Sequence, residues 1–195
     1  MEQTKYFFLT FIAIGMTVTM ARSPPSSTTQ TYTNFVKTSC NATTYPTVCL
    51  TSLLPYATAV KSNPLKLVKQ ALSATLKSAS TTRSTVSKLA KRKNLSKDDA
   101  AVLKDCIGEI KDAMDEITDS LIAISSLGSS TVNKKFAISN AQTWASAAIT
   151  DEYTCIDEFS DMKVSPAIKK KIRSSIEKIA RQSSNALYLI NHLDI

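Results

Sequence analysis

Apolar residues recur at threes and fours along four long stretches of the chain, the spacing of helices with one buried face. The first stretch opens at Asn63-Pro64 and runs to about residue 93, with Leu65, Val68, Leu72, Ala79, Val86 and Leu89 in register. Asn is a good N-cap, and proline is harmless at the first helical position. Its many Ser and Thr residues make it a weak helix by propensity, so packing must hold it. The second opens at Ser96 with Asp99 three residues on, a capping-box pattern. Leu103, Ile107, Ile110, Met114, Ile117, Leu121 and Ile124 then follow in alternating steps of four and three, and Gly128 suits a helix end. The third stretch runs from about Lys134 to Asp161, with Ala137, Ala141, Trp144, Ala148, Cys155 and Phe159 on one side. The fourth opens at Ser165-Pro166 and runs to about His192 through Ile168, Ile172, Ile176, Ile179, Leu187 and Ile190. Short connections between long amphipathic helices favour antiparallel neighbours, so the pattern predicts an all-α, up-down-up-down four-helix bundle. Ahead of it, residues 32–60 carry two short helical stretches around Cys40 and Cys49, the second starting at Pro46.

The N-terminus has a different character. Lys5 precedes an apolar run from Phe7 to Met20, followed by small residues near Ala21. This is the pattern of a secretory signal peptide over residues 1–21, and its apolar core is short for a membrane span. Residues 22–31, with Pro24, Pro25 and several Ser and Thr, read as a flexible leader to the domain. Signal cleavage removes one base, Lys5, and one acid, Glu2, so the net charge stays at +8.

Composition narrows the chemistry. Of 3 glycines in 195 residues, Gly15 lies in the signal segment, leaving Gly108 and Gly128 for the domain. Turn-rich β folds and phosphate-cradling loops need more. The single histidine, His192, is three residues from the end. A histidine-based triad would depend on it, and a histidine metal site would lack a second ligand. The chain therefore reads as a binding protein rather than an enzyme, with no cofactor and no metal. His192 itself reads as a frayed terminal residue, and Trp144 as part of the core.

Four cysteines in a secreted chain point to two disulfides. The second and third long helices turn near residues 128–130, and the midpoint of Cys106 and Cys155 falls inside that turn. Folding two antiparallel helices about it brings these cysteines level. Cys106 lies about 60° from the centre of its helix's apolar stripe, where it reaches a neighbour. The expected pairs are Cys40–Cys49 and Cys106–Cys155, and in the chain-entropy account the longer loop is worth about 4 kcal/mol and the shorter about 2.5 kcal/mol.

Charge is segregated. Eight acids lie between Asp98 and Asp119 and five between Asp151 and Asp161. Asp105, Glu109, Asp112, Glu116 and Asp119 step by four and three, about 200° from the apolar stripe, and are expected to face solvent. Such a face suits a basic partner. Carboxylates ranged along one exposed face do not form an acid/base pair, which needs convergent groups. The bases cluster elsewhere, at Lys88, Lys91, Arg92 and Lys93 and at Lys169, Lys170, Lys171, Arg173, Lys178 and Arg181. Secretion and the lack of interleaved aromatics argue against nucleic acid. Nothing beyond the signal segment is apolar enough to span a bilayer. Asn41-Ala42-Thr43 and Asn94-Leu95-Ser96 are glycosylation sequons, the second between helices.

Several runs taken together resemble the plant invertase and pectin methylesterase inhibitor family. They are Thr38 to Cys49, Leu103 to Cys106, Thr143 to Phe159 and Ser184 to Leu187, spanning most of residues 32–193. The resemblance implies a secreted four-helix bundle (63–193) preceded by a helical hairpin (32–60), with two sequential disulfides. Family members block cell-wall or vacuolar enzymes by covering the active-site cleft in a one-to-one complex. The stretch Ser139 to Thr150 is similar to the pectin methylesterase inhibitor branch. Carried onto matching positions, the resemblance implies target contacts at Asp112, Asp115, Thr154 and Asp157. A further acidic contact of the family falls on Gly108, with Glu109 beside it. Inhibitors of acid invertase share a Pro-Lys-Phe segment; here Lys134 precedes Lys135-Phe136, a partial match. The alternative from another class is a cell-wall module holding polyanionic pectin through Lys169, Lys170, Lys171 and Arg173.

Overall fold

The computed structural model describes residues 27–129, 133–161 and 164–194. The expected signal peptide, 1–21, lies outside them. The described chain forms α1 (Ser27–Asn41), α2 (Pro46–Leu53), a 3-10 turn (Leu54–Tyr56) and α3 (Ala57–Val60). Four long helices follow: α4 (Pro64–Ala90), α5 (Lys97–Ser126), α6 (Lys134–Asp161) and α7 (Pro166–Asn191). Helix α1 begins at Ser27, so Ser27–Thr31 of the stretch expected to be flexible are helical.

The long helices form a ring in which α5 packs on α4 and α6, and α7 closes it against α6 and α4. Their starts are chemically marked. Asn63 Oδ1 accepts the Lys66 N–H at 2.9 Å with Pro64 beside it, and Ser96 Oγ accepts the Asp99 N–H at 2.9 Å. At α7 Pro166 holds the first position, but the Ser165 side chain makes no cap. Its N–H instead donates to the Asp99 carboxylate at 2.9 Å, tying the start of α7 to that of α5. Gly128 does not adopt a left-handed cap; α5 ends in tight turns, with Ser129 N–H donating to Ser126 O at 2.9 Å.

Helices α1 to α3 pack against α4 and α7. The Cys40–Cys49 disulfide joins α1 to α2, and buried Asn185 of α7 clamps the intervening loop. Asn185 Oδ1 accepts the Tyr45 N–H and its Nδ2 donates to the Tyr45 carbonyl, both at 2.9 Å. Gln182 Nε2 donates to Ser52 Oγ at 2.7 Å one turn earlier.

The core falls into two apolar clusters. One lies beneath the hairpin and the other around Cys106, Cys155, Phe159 and the isoleucines of α7. Between them along α4, α6 and α7 sit buried Thr75, Glu152 and Ser183, a polar layer across the bundle.

Two expectations about helix faces need correction. On α5 the buried residues are Asp99, Val102, Leu103, Cys106, Ile110, Ala113, Ile117, Ser120 and Ile124, while Ile107, Met114 and Leu121 are half-buried. The buried arc is turned about 50° from the apolar stripe, toward α6. On α6 Trp144 is not core: it is 40% exposed, and Ala145 takes the inward position beside Ala141 and Ala148. Small residues there let α5 and α6 approach closely, which leaves no room for an indole. The packing includes a hydrogen bond from Ser120 Oγ to Ala141 O at 2.9 Å.

The acidic seam between α5 and α6

The Cys106–Cys155 disulfide links α5 to α6 as the spacing predicts, with Cα atoms 4.8 Å apart, and Cys40–Cys49 forms the other predicted pair. No cysteine is free. The two tied helices carry thirteen acids against five lysines, whereas α4 and α7 carry eleven bases against one acid, Glu177. In the ring order, the acidic pair and the basic pair form opposite sides of the bundle.

The rotation of α5 corrects the expectation that all five stepped acids face solvent. Asp105, Asp112 and Asp119 do, but Glu109 and Glu116 are half-buried in the seam with α6. Burial pushes the Glu116 carboxyl up to about 7, aided by Asp151 on α6 and by Asp112 and Asp119. Asp151 is also raised, by burial first. The interaction between the two carboxyls raises Glu116 and lowers Asp151 against the effect of its burial. Glu109 rises through burial, then through Asp151, Asp112 and Asp105. Glu158 rises through burial, then through Asp105 and Glu109. The seam is thus a run of interacting carboxyls along both helices.

The next residue, Glu152, turns inward: it is 1% exposed and accepts the Ser183 hydroxyl through Oε1 at 2.8 Å, while Oε2 has no hydrogen-bond partner. Burial pushes it up to about 8 against the Ser183 bond, with Asp151 and Glu116 adding repulsion. Glu152 is a neutral acid in the polar layer. Sequence reasoning passed over Glu152 and the Glu116–Asp151 pair. The disulfide register held the signal for the pair, since it sets Asp151 level with Ile110, between Glu109 and Glu116.

The four expected contact residues are all exposed. Asp112 and Asp115 flank Lys111, whose Nζ lies 3.4 Å and 2.8 Å from their carboxylates. Asp112 adjoins the seam. Asp115 lies further around α5, outside the seam's coupled carboxyls. Thr154 Oγ1 donates to Thr150 O at 3.0 Å, so it presents an acceptor outward, and Asp157 follows one turn on. The expected contacts therefore form a band rather than a pocket. Phe136, at the start of α6, is 65% exposed. Gly108 is exposed, and a Cβ there would meet nothing within 4 Å. On α7 Lys169 is half-buried and Lys170, Lys171 and Arg173 are exposed, with Arg173 paired to Glu177 at 2.9 Å. His192 is not frayed: its ring stacks on Tyr188 at 4.0 Å and Nδ1–H donates to the Tyr188 carbonyl at 2.8 Å.

Among the described residues no group of acids, cysteines and histidine is placed to hold a metal, and no helix is long and apolar enough to cross a membrane. Fold and surface define an all-α, disulfide-tied bundle with one acidic side. The chain belongs to the plant invertase/pectin methylesterase inhibitor family, whose model matches residues 34–189. That places it in a family of inhibitors rather than enzymes. Pectinesterase inhibitor 11 of Arabidopsis thaliana is 38% identical over 97% of this chain and 96% of its own. Pectinesterase inhibitor 4 of the same plant is 39% identical over 88% and 86%. The crystal structure of a mutant form of an Arabidopsis pectin methylesterase inhibitor superposes with a TM-score of 0.64 at 18% identity, covering 82% of this chain and 97% of that one. At that identity the match shows the shared fold.

Proposed function

We propose that the protein is a secreted inhibitor of plant pectin methylesterase, acting in the cell wall. It docks its α5–α6 face over the esterase cleft in a one-to-one complex. The observation that carries this reading is the concentration of thirteen acids on two helices locked by one disulfide. Asp112, Asp115, Thr154 and Asp157 offer acceptors to basic and polar groups around the cleft. Because the face lies on packed helices, little ordering entropy is lost on docking. Neutralising one carboxylate that becomes buried against a basic partner costs about 2–5 kcal/mol. The second reading, inhibition of acid invertase, draws on the exposure of Phe136 beside Lys135.

The test is a titration of purified, oxidised protein into a plant pectin methylesterase and, separately, an acid invertase, following methanol release and sucrose hydrolysis. Saturable loss of esterase activity near one equivalent is expected, with Asp112→Ala and Asp157→Ala each weakening it. Unchanged inhibition by both variants would remove these residues from the interface. Loss of invertase activity alone would move the site to Lys135-Phe136.

A further inference from the structure

We infer that the groove between α4 and α7 binds an anionic polysaccharide, a chain of uronic acids, on the side of the bundle opposite the acidic seam. The groove encloses about 340 Å³ between Lys77, Thr81 and Thr85 on α4 and Ser175, Lys178 and Ile179 on α7. Lys77 and Lys178 face it from its two walls and are exposed. Among the described residues neither has an acid within ion-pair distance, and the one acid on these helices, Glu177, is held by Arg173 at 2.9 Å and Arg181 at 3.5 Å. Two ammonium groups without counter-charges thus border one cleft.

The hydroxyls fit a sugar. Thr81 donates to Lys77 O at 2.9 Å, Thr85 to Thr81 O at 3.0 Å and Ser175 to Lys171 O at 3.1 Å. With those protons committed to the helix backbones, the oxygens point their lone pairs into the groove, where sugar O–H groups donate to them. The positive line continues past the groove. Lys171 lies two turns from Lys178 on the same side of α7, and Lys88 three turns from Lys77 on α4. From Lys77 to Lys88 the row runs about 16 Å at 1.5 Å per residue, long enough for a short oligomer.

The surroundings favour a polysaccharide over other polyanions. The groove has no aromatic side chain for base stacking. Among the described residues the large exposed apolar side chains, Ile122, Phe136, Trp144 and Tyr153, lie on α5 and α6 and not on the basic side, where they could insert into a bilayer.

The choice of a uronate chain rests on the inhibitor reading above. Hydrolysis of a methyl ester in pectin leaves a carboxylate on the sugar and releases methanol, so the target enzyme would generate the groove's ligand. The protein would then gather where de-esterification has begun, with its acidic side free to meet the enzyme.

The experiment measures binding of the purified, oxidised protein to polygalacturonate oligomers and to fully methyl-esterified oligomers by calorimetry, without esterase. Binding to the charged oligomer is expected to be about tenfold tighter or more, and to weaken as salt rises to about 0.15 M. Lys77→Gln/Lys178→Gln should lose about tenfold, whereas Lys169→Gln/Arg173→Gln should stay within about twofold. Helical circular dichroism and esterase inhibition report the fold of each variant. Equal binding of both oligomers, or an unchanged Lys77→Gln/Lys178→Gln double variant, overturns the proposal. So does tighter binding to phosphatidylserine vesicles than to polygalacturonate. Polygalacturonate binding without esterase inhibition would sink the inhibitor reading and leave the groove standing.

Discussion

Glu152 provides a direct test of the packing. In the native bundle it keeps its proton up to about pH 8, whereas an ordinary glutamate loses it near 4.5. Between those values the native state binds more protons than the unfolded chain, so stability falls as pH rises through the window. Stability falls with each pH unit inside the window, and from pH 5 to pH 7 this group removes about 2–3 kcal/mol. Glu152→Gln keeps the oxygen that accepts the Ser183 hydroxyl and removes the titration. Seam carboxyls such as Glu116 and Asp151 titrate in both proteins and largely cancel in the comparison. The advantage of Glu152→Gln over the parent should therefore grow by about 2–3 kcal/mol between pH 5 and pH 7. Urea unfolding followed by helical circular dichroism at both pH values measures it. A difference flat to within about 0.5 kcal/mol, a typical margin for independent effects, would refute the claim that burial holds this carboxyl neutral.

Other consequences are as concrete. Asp99 lies below the usual carboxylate range because it accepts the Ser165 N–H and, further, hydrogen bonds from Ser96, against an opposing burial effect. Its stabilisation is present above about pH 4 and lost as pH falls through the depressed value. Asp99→Asn should thus cost about 1–2 kcal/mol at pH 6, with the gap closing in acid melts. Asn185→Ala should cost about 2–3 kcal/mol in urea titrations, because both backbone groups of Tyr45 lose their partner. Gly108→Ala, with open space around the new methyl, should gain about 1 kcal/mol in the same assay. Replacing Cys106 and Cys155 together by serine should remove about 4 kcal/mol, against about 2.5 kcal/mol for Cys40 and Cys49. Peptide mass spectrometry should find a glycan on Asn94, exposed between α4 and α5, in preference to Asn41. The Asn41 sequon threonine, Thr43, is buried with its hydroxyl donating to Cys40 O at 2.7 Å.

Local chemistry made the elements legible. Asn63-Pro64, Ser96 with Asp99, and Ser165-Pro166 mark helix starts whose caps and fixed backbone angles act within one turn. The disulfides were legible too, because an antiparallel pair about a known turn brings residues level by counting alone. The readings that failed turn on packing partners. Trp144 shares the side of α6 that carries its alanines, yet a close helix pair admits alanine and leaves the indole at the rim. His192 lacks a capping pattern but finds Tyr188 one turn back.

The sequence by itself determined four long amphipathic helices, their order and direction, both disulfides, and the division of acids from bases. These follow from spacing along one chain and from the geometry of a helix. Only the tertiary structure decided how far each helix turns about its own axis. An apolar stripe allows an arc of orientations, and α5 settles where it can pack on α4 and α6 at once. That turn of about 50° draws Glu109 and Glu116 out of water and toward Asp151. The same packing of α6 on α7 buries Glu152 against Ser183 and brings two lysine-bearing helices together around a groove. Desolvation and charge coupling depend on what lies across the interface, and no helix carries that information alone.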